Sequence, residues 1–330
     1  MKKVLIISQR NFGDAVILSS ILNQFDTSNF IIDVLSKKEF VSIFEKNKNI
    51  KNIITANFPI ASYKSFNIFN FIQTICKIRN DKYDLVIDLI GDFRERLIGY
   101  FCSGDEFISV EREKNNKFNE LIRRGLKNLP DKNVLIKSEM VNIYNQINYV
   151  FRAIGFIKNE NQLKNRSKND IIGIHPFASQ DCRMWDWKKW IELINYLIGY
   201  NKKIFIFCAP IEKDLLVKEL GNLINHKDIK VVSSTIDNFF INLEKIDLLI
   251  GLDSFSIHAA YSKNVPNIML CGANDYNLWK TPLTKVISKG NKACEYWPCY
   301  NKPKCNNDYK CMDKIMIDDI IYALYELNLK

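Results

Sequence analysis

Three short segments of this chain set acids, hydroxyls, an imidazole and a guanidinium at the ends of apolar runs. Asp253, Ser254, Phe255 and His258 follow the apolar run Ile246 to Gly251. They precede Ala259-Ala260 and a second apolar run, Val265 to Cys271, that closes on Gly272. That order reads as strand, polar turn, short helix, strand. Unpaired N–H groups at a helix start beyond a buried strand favour an anion such as phosphate. The same residues equally suit an ordinary capped helix with Asp253 or Ser254 as its cap. Asn11-Phe12-Gly13-Asp14 stands between a first strand and a first helix. Gly13 permits a tight turn, and Asp14 at the helix start can serve as a general base, which the helix dipole weakens by lowering its pKa. An aspartate that only caps the helix is the reading that local sequence favours. His175 to Ser179 leads into Arg183-Met184-Trp185-Asp186-Trp187. There Ser179 offers a hydroxyl, and the Arg183 guanidinium can hold a diphosphate through paired hydrogen bonds. A surface cation beside packing tryptophans is the plain alternative, and Trp190, inside the helix, is a packing residue.

Cys294, Cys299, Cys305 and Cys311 bring four thiols within eighteen residues. Such a set could hold a tetrahedral Zn or Fe, although its spacing is looser than that of paired Cys-x-x-Cys ribbons. Unligated thiols are the alternative.

These segments need a scaffold, and the hydrophobic pattern predicts one. In the first half, strands are expected at Val4 to Ser8, Phe30 to Leu35, Ile50 to Thr55 and Tyr83 to Leu89. Helices are expected at Asp14 to Phe25, Lys38 to Asn47, Phe66 to Arg79 and Met140 to Ile154. The polar stretch Lys158 to Asp170 reads as a linker. A second alternation follows: strands Ile171 to His175, Lys203 to Cys208 and Ile229 to Val232, with helices Trp187 to Tyr200, Glu212 to Leu223, Ile236 to Glu244 and Asp313 to Leu327. Continuous apolar runs mark strands buried on both faces, as in parallel sheets. The expected fold class is therefore α/β, with two doubly wound domains, 1–165 and 166–330, facing a cleft.

With 330 residues and 47% hydrophobic content, the chain is globular and long enough for two cores. A formal charge of +10 implies an anionic partner. The basic residues are scattered, which argues against nucleic acid. The three-glycine dinucleotide fingerprint is absent, which counts against a dinucleotide enzyme. Ser8-Gln9-Arg10-Asn11 ends the first apolar run too early for a signal peptide, and no run approaches a membrane span. A cytosolic protein is expected, with any membrane contact peripheral; nine cysteines there argue for thiols or a metal rather than disulfides.

Together these residues resemble glycosyltransferase family 9, the lipopolysaccharide heptosyltransferase family. Asn11 to Val16 looks like its amino-terminal Gly-Asp motif, and Tyr83 to Leu89 followed by Arg94 is similar to a strand of its first domain. His175 to Trp190 resembles its donor loop, with Arg183 where a lysine is common. Asp253-Ser254 with His258 looks like its Asp-Ser/Thr-Gly-x-x-His motif, and Pro266 to Gly272, Trp279 and Pro282 continue the likeness. The resemblance implies a GT-B architecture of two Rossmann-like domains, with the acceptor on the first and a nucleotide sugar, typically ADP-heptose, on the second. It implies inverting transfer to a lipopolysaccharide core or other cell-envelope glycan, with Asp14 as the base. Arg94 would contact the acceptor. Gly13, Ser179, Arg183, Ser254 and the N–H groups after Asp253 would line the donor site, with Glu212 at the nucleoside and His258 either at the sugar or phosphate or only pinning the turn. Phe255 stands where the family has glycine, which reshapes the sugar pocket or tilts the loop. No cofactor is needed for such chemistry. The cysteines match a tail found in some members at Pro298-Cys299, Cys305 and Cys311-Met312, with Tyr296 where the first cysteine would be; a metal there would be structural. Anionic glycolipid is the implied acceptor, at the inner face of the cytoplasmic membrane. A protein acceptor, as in autotransporter-modifying relatives, is the alternative, as is a binding protein of the same fold that has lost catalysis.

Overall fold

Aliphatic runs form the centre of each half of the chain, and in each they make a parallel sheet. The computed structural model describes residues 1–56, 68–102, 104–113, 129–159, 169–233, 235–300, 305 and 310–327. The chain divides into two units, Met1–Asn161 and Gln162–Lys330.

In the first unit the strands of the main sheet are β1 (Lys2–Ser8), β2 (Phe30–Ser36), β3 (Asn52–Thr55), β4 (Leu85–Asp88), β5 (Glu106–Arg112) and β6 (Lys132–Ile136), in the order β3-β2-β1-β4-β5-β6. Every neighbouring pair is parallel. β1 is central, with Val4 opposite both Ile32 and Leu85, so Val4, Leu5 and Ile6 are fully buried. The longer helices are α1 (Phe12–Leu22), α2 (Ile68–Asn80), α3 (Phe93–Cys102) and α4 (Ile143–Ala153).

The second unit repeats the plan. Its strands β7 (Ile171–His175), β8 (Lys203–Cys208), β9 (Ile229–Ser233), β10 (Leu248–Leu252), β11 (Asn267–Cys271) and β12 (Thr284–Ser288) run in the order β9-β8-β7-β10-β11-β12, again all parallel. Helices α5 (Trp187–Gly199), α6 (Lys213–Leu220), α7 (Ile236–Leu243), α8 (Phe255–Ser262) and α9 (Ile317–Glu326) accompany it. α5 starts where the Asp186 carboxylate accepts the Lys188 N–H at 2.7 Å, and it buries Trp190, Leu193, Ile194 and Leu197 on one face. Trp190 meets Trp185 edge-on with ring centroids 4.9 Å apart. The Trp185 Nε1–H donates to the Ile315 carbonyl (3.0 Å), tying the approach to α9 onto this core.

In both sheets the strand order reverses beside the first strand, between β1 and β4 and between β7 and β10. That is where open α/β sheets bind ligands. The two-domain α/β expectation is met, with local differences. The helix expected over Lys38 to Asn47 is a 3₁₀ turn, Lys38–Phe40, and a four-residue helix, Val41–Phe44. Asn47 is instead a buried turn residue whose amide donates to the Ser19 carbonyl (2.8 Å) and whose oxygen accepts the Asn49 N–H (3.0 Å). α6 stops at Gly221, where φ is 52°, a left-handed conformation that glycine tolerates. α3, β5, β6 and β12 are not marked by the hydrophobic pattern, because charged residues flank or interrupt their short apolar centres. Of the expected linker, residues 160–168 lie outside the described residues. Among the described residues no helix is long and apolar enough to cross a membrane.

Candidate functional site

The first unit gathers its polar groups beyond β1 and β4. Ser8 ends β1, the chain turns through Gln9 to Asn11, and α1 begins, placing Gly13 and Asp14 in its first turn. Asp14 Oδ2 accepts the Asn11 N–H at 3.2 Å, so this residue does serve the helix start. Burial raises its pKa above the ordinary carboxylate value, opposed by Arg10, by the hydrogen bond from Asn11 and by Lys37. This corrects the expectation that the helix dipole leaves a weakened base: desolvation wins, and a carboxylate of raised pKa is the better proton acceptor. Lys37 is held by a 2.7 Å hydrogen bond from its Nζ to the Arg10 carbonyl.

Beyond β4, Asp88 is fully buried. Its Oδ1 accepts the Ile90 and Gly91 N–H groups, each at 2.8 Å, and its Oδ2 accepts the Ser109 hydroxyl at 2.7 Å. Gly91, at φ 69°, completes the turn. Asp92 then caps α3 by accepting the Arg94 and Glu95 N–H groups at 3.0 Å. The result is a cavity lined by Ser8, Arg10, Asp14 and Glu95, with apolar walls that include Ile17, Leu18, Leu89, Ile143 and Ile147. Arg94 is not among its lining; its guanidinium lies against Asp92 (3.4 Å), as does that of Arg10 (3.8 Å).

In the second unit the loop after β7 carries Ser179, which is exposed, into a 3₁₀ turn, Asp181–Arg183. Arg183 reaches across 70 residues of sequence to donate from Nη1 to the Asp253 carbonyl at 3.3 Å, and its buried Nε has no hydrogen-bond partner among the described residues. Asp253 is buried beyond β10, its Oδ2 accepting the Asn274 amide at 2.5 Å. Burial raises its pKa, with the Arg183 charge, Asn274 and the Cys271 thiol opposing. Ser254 is the N-cap of α8 but makes no capping bond; its hydroxyl pairs with that of Ser256 at 2.9 Å. A buried guanidinium edge thus stands near an uncapped helix start, an arrangement suited to an anion.

Phe255 packs inward, edge-on to His175 (5.7 Å, 89°) and tilted against Phe239 on α7 (5.1 Å, 41°). His258 is buried, its ring 6.2 Å from that of Trp279. Glu212, after β8, is half-buried and accepts the Ala209 N–H at 2.7 Å; burial raises its pKa.

The family model for glycosyltransferase family 9 (heptosyltransferase) matches residues 71–310. The chain belongs to this family. It is 23% identical to lipopolysaccharide heptosyltransferase 3 of Escherichia coli over 82% of this chain and 84% of that one. It is 22% identical to lipopolysaccharide heptosyltransferase 1 of Campylobacter coli over 98% of each. Among solved structures, an E. coli heptosyltransferase with ADP superposes with a TM-score of 0.73 at 14% identity, covering 99% of this chain and 98% of that one. The fold is therefore GT-B, each unit contributing one six-stranded parallel sheet.

One expectation for this glycosyltransferase is not supported. Among the described residues no group of three or more cysteines, histidines and acids is placed to hold a metal ion. Cys311 is buried in the hydrophobic core with Met312, and its thiol is pushed up to about 11, chiefly by burial.

Some polar groups escape sequence reading. Asn274 and Cys271 hold Asp253, and Glu95, which lines Asp14's cavity, stands beside the buried Asp88. Asn274 follows the run that closes on Gly272, a strand-end position that could have drawn notice. Nothing local marks Glu95, whose importance comes from its neighbours.

His175 and His258 are held neutral, each pKa pushed down to about 4 by burial. Unfolded histidine titrates near 6.5. Between those values the unfolded chain binds more protons, so the stability they contribute is complete above about pH 6.5 and is lost as pH falls toward 4. Each accounts for roughly 3 kcal/mol across that window. Buried acids with raised pKa act in the opposite sense, so the histidine share is read by difference. Urea melts at pH 7 and pH 4.5 should show a steeper acid loss in the wild type than in His258→Gln; equal losses would contradict the assignment.

Proposed function

We propose that this glycosyltransferase moves a heptose from ADP-heptose onto a lipopolysaccharide core or similar envelope glycan, inverting the anomeric centre. The observation that carries the reading is the Arg183–Asp253–α8 constellation at the sheet switch point, with a buried guanidinium nitrogen that has no hydrogen-bond partner among the described residues. The names of its relatives support the heptose and the acceptor, and the relative solved with ADP supports the nucleotide.

The chemistry divides between the units. In the first, the Asp14 carboxylate accepts the proton of an acceptor hydroxyl. That oxygen attacks the anomeric carbon from the face opposite the diphosphate, and the bond from carbon to diphosphate breaks with its electron pair on the leaving group. In the second, Arg183, the Ser179 hydroxyl and the first N–H groups of α8 stabilise the charge that develops there. Glu212 contacts the nucleoside, and His258 and Phe255 bound the sugar. Arg94 meets anionic groups of the acceptor. The formal charge of +10 suits an anionic glycolipid at the cytoplasmic face of a membrane.

Phe255 favours one second reading. Its ring, packed on His175 and Phe239, occupies the place of the family's glycine, as in a nucleotide-sugar-binding protein without turnover.

A thermal-shift screen against ADP-, GDP-, UDP- and CMP-sugars tests the donor. Stabilisation of about 2.7 kcal/mol is expected at a hundredfold excess of ADP-heptose over its Kd. A larger shift with another base would overturn the donor assignment. Product analysis of the same mixtures separates transfer or hydrolysis from binding alone.

A further inference from the structure

Helices α2 and α3 of the first unit each pack one apolar stripe on the sheet and carry a second one outward. Inward, Ile75 and Ile78 of α2 and Ile98 and Cys102 of α3 are buried in one core with Leu5, Ile7 and Val86. Outward, α2 exposes Phe69 (73%) and Ile72 (51%), and α3 exposes Phe93 (38%), Tyr100 (45%) and Phe101 (37%). Residues one or two helical turns apart, as these are within each helix, share a face. Phe71 of α2 meets Phe101 of α3 edge-on at 6.0 Å, and Phe101 lies 5.8 Å from Tyr100, so the two helices are neighbours. Exposed apolar side chains scattered singly need no explanation, but large ones grouped on neighbouring helices mark an interaction surface.

The charges on these helices indicate what that surface meets. α2 has no acid, and its charged residues are Lys77 and Arg79 in the last turn, both exposed. By helical geometry they flank the row of Phe69, Ile72 and Cys76, one on each side. On α3 the single acid, Glu95, is buried, as is Arg96, which leaves Arg94 as the surface charge. Asp81, just past α2, is matched by Lys3 at 3.9 Å. An aromatic and aliphatic face rimmed by cations, on helices without an exposed acid, complements the anionic surface of a bilayer. A symmetric contact with a second copy would instead bring two cationic rims together, which is repulsive.

We propose that the outer face of α2 and α3 docks this protein on an anionic phospholipid bilayer. Phe69, Ile72, Phe93, Tyr100 and Phe101 enter the headgroup region, and Lys77 and Arg79 meet the lipid phosphates. The inference rests on the reading of the acceptor as a membrane glycolipid and names the surface that brings the chain to it. α3 starts at the acceptor end of the unit. Asp92, which caps it, lies 3.8 Å from Arg10, a lining residue of Asp14's cavity. A glycan standing on the bilayer is thereby presented on the side of the unit where Asp14 works.

Cosedimentation of the full chain with vesicles tests the surface without a known acceptor. Vesicles of phosphatidylglycerol and phosphatidylethanolamine are compared with vesicles of phosphatidylcholine alone. The wild type is expected to bind the anionic vesicles, more weakly as salt rises, and to bind the neutral ones far less. Phe69→Ser combined with Tyr100→Ser, one change on each helix, should weaken binding at least about tenfold. Lys77→Gln combined with Arg79→Gln should weaken it about fivefold per cation removed, and these exposed changes leave the apolar face intact. Folding is checked by circular dichroism, and hydrolysis of ADP-heptose in the absence of vesicles should be unchanged in both variants. No vesicle binding by the wild type, equal binding to neutral and anionic vesicles, or wild-type binding in both variants would overturn the proposal. A wild type that ignores vesicles but forms dimers, which Phe69→Ser with Tyr100→Ser dissociates, would overturn it in favour of a second copy. Vesicle binding by a wild type that neither binds nor turns over ADP-heptose would uphold the docking surface and sink the functional reading instead.

Discussion

Asp14→Asn is expected to lower glycosyl transfer by about 10²- to 10⁴-fold while leaving donor binding intact, the loss typical of removing a positioned general base. Asparagine can still accept the Asn11 N–H that Asp14 Oδ2 accepts at 3.2 Å, so the start of α1 keeps its hydrogen bond. What disappears is the negative charge. Because burial raises the Asp14 pKa, the wild type should show an acid limb in its rate above the usual carboxylate range. The sign is fixed by the role: the ionised form works, so activity falls as pH drops through the raised pKa. Asp14→Asn should be slow at every pH, with its melting temperature near that of the wild type. Full turnover in this variant, or an acid limb that persists unchanged in its residual activity, would remove Asp14 from the base position. Asp14→Ala also removes the hydrogen bond to Asn11 and is expected to cost about 1 kcal/mol of stability in addition.

The second large effect belongs to Arg183. Arg183→Ala is expected to reduce kcat by about 10²- to 10³-fold, the range found on removing one group that stabilises developing negative charge. Two things are lost together. The guanidinium edge no longer faces the leaving group, and the Asp253 carbonyl loses its 3.3 Å hydrogen bond. Asp253 also loses the charge that opposes its burial, so its pKa should climb further, with only Asn274 and the Cys271 thiol still holding the ionised form. Arg183→Lys keeps a cation but not the planar fork and should fall between wild type and alanine. Comparing kcat with donor Kd separates the roles: a leaving-group contact depresses kcat more than binding. If Kd rises while kcat stays at the wild-type level, Arg183 anchors the ground state only.

Phe255 bears on the same unit differently. Its contacts are to His175 and Phe239, residues from β7 and α7 that only the folded sheet brings to the start of α8. A glycine at this position leaves the aromatic pair His175–Phe239, 6.0 Å apart, without its third ring.

The order of buried runs along the chain is enough to determine the α/β class and the position of the polar turns at the strand ends. β7 and β8 occupy the spans that the apolar runs predict, because a strand buried on both faces has almost no polar residues to blur its limits. The turn residues Gly13-Asp14 and Asp253-Ser254 are legible for the complementary reason, since abrupt polarity after such a run marks a strand's carboxyl end. Strands with charged margins, such as β5, carry no such signal, and the place of β5 was decided by pairing with β4 and β6. The sign of the Asp14 pKa shift was likewise beyond the sequence: local reading sees the helix dipole, whereas desolvation depends on the surrounding walls and outweighs the opposing charges of Arg10 and Lys37. Cys311 is one of four closely spaced cysteines, and only the packing shows that it belongs to the hydrophobic core. Arg183 meets Asp253 only because the sheet reverses strand order between β7 and β10. Local sequence thus determined which groups stand at strand ends, and tertiary packing decided which are dry, which are charged and which act together.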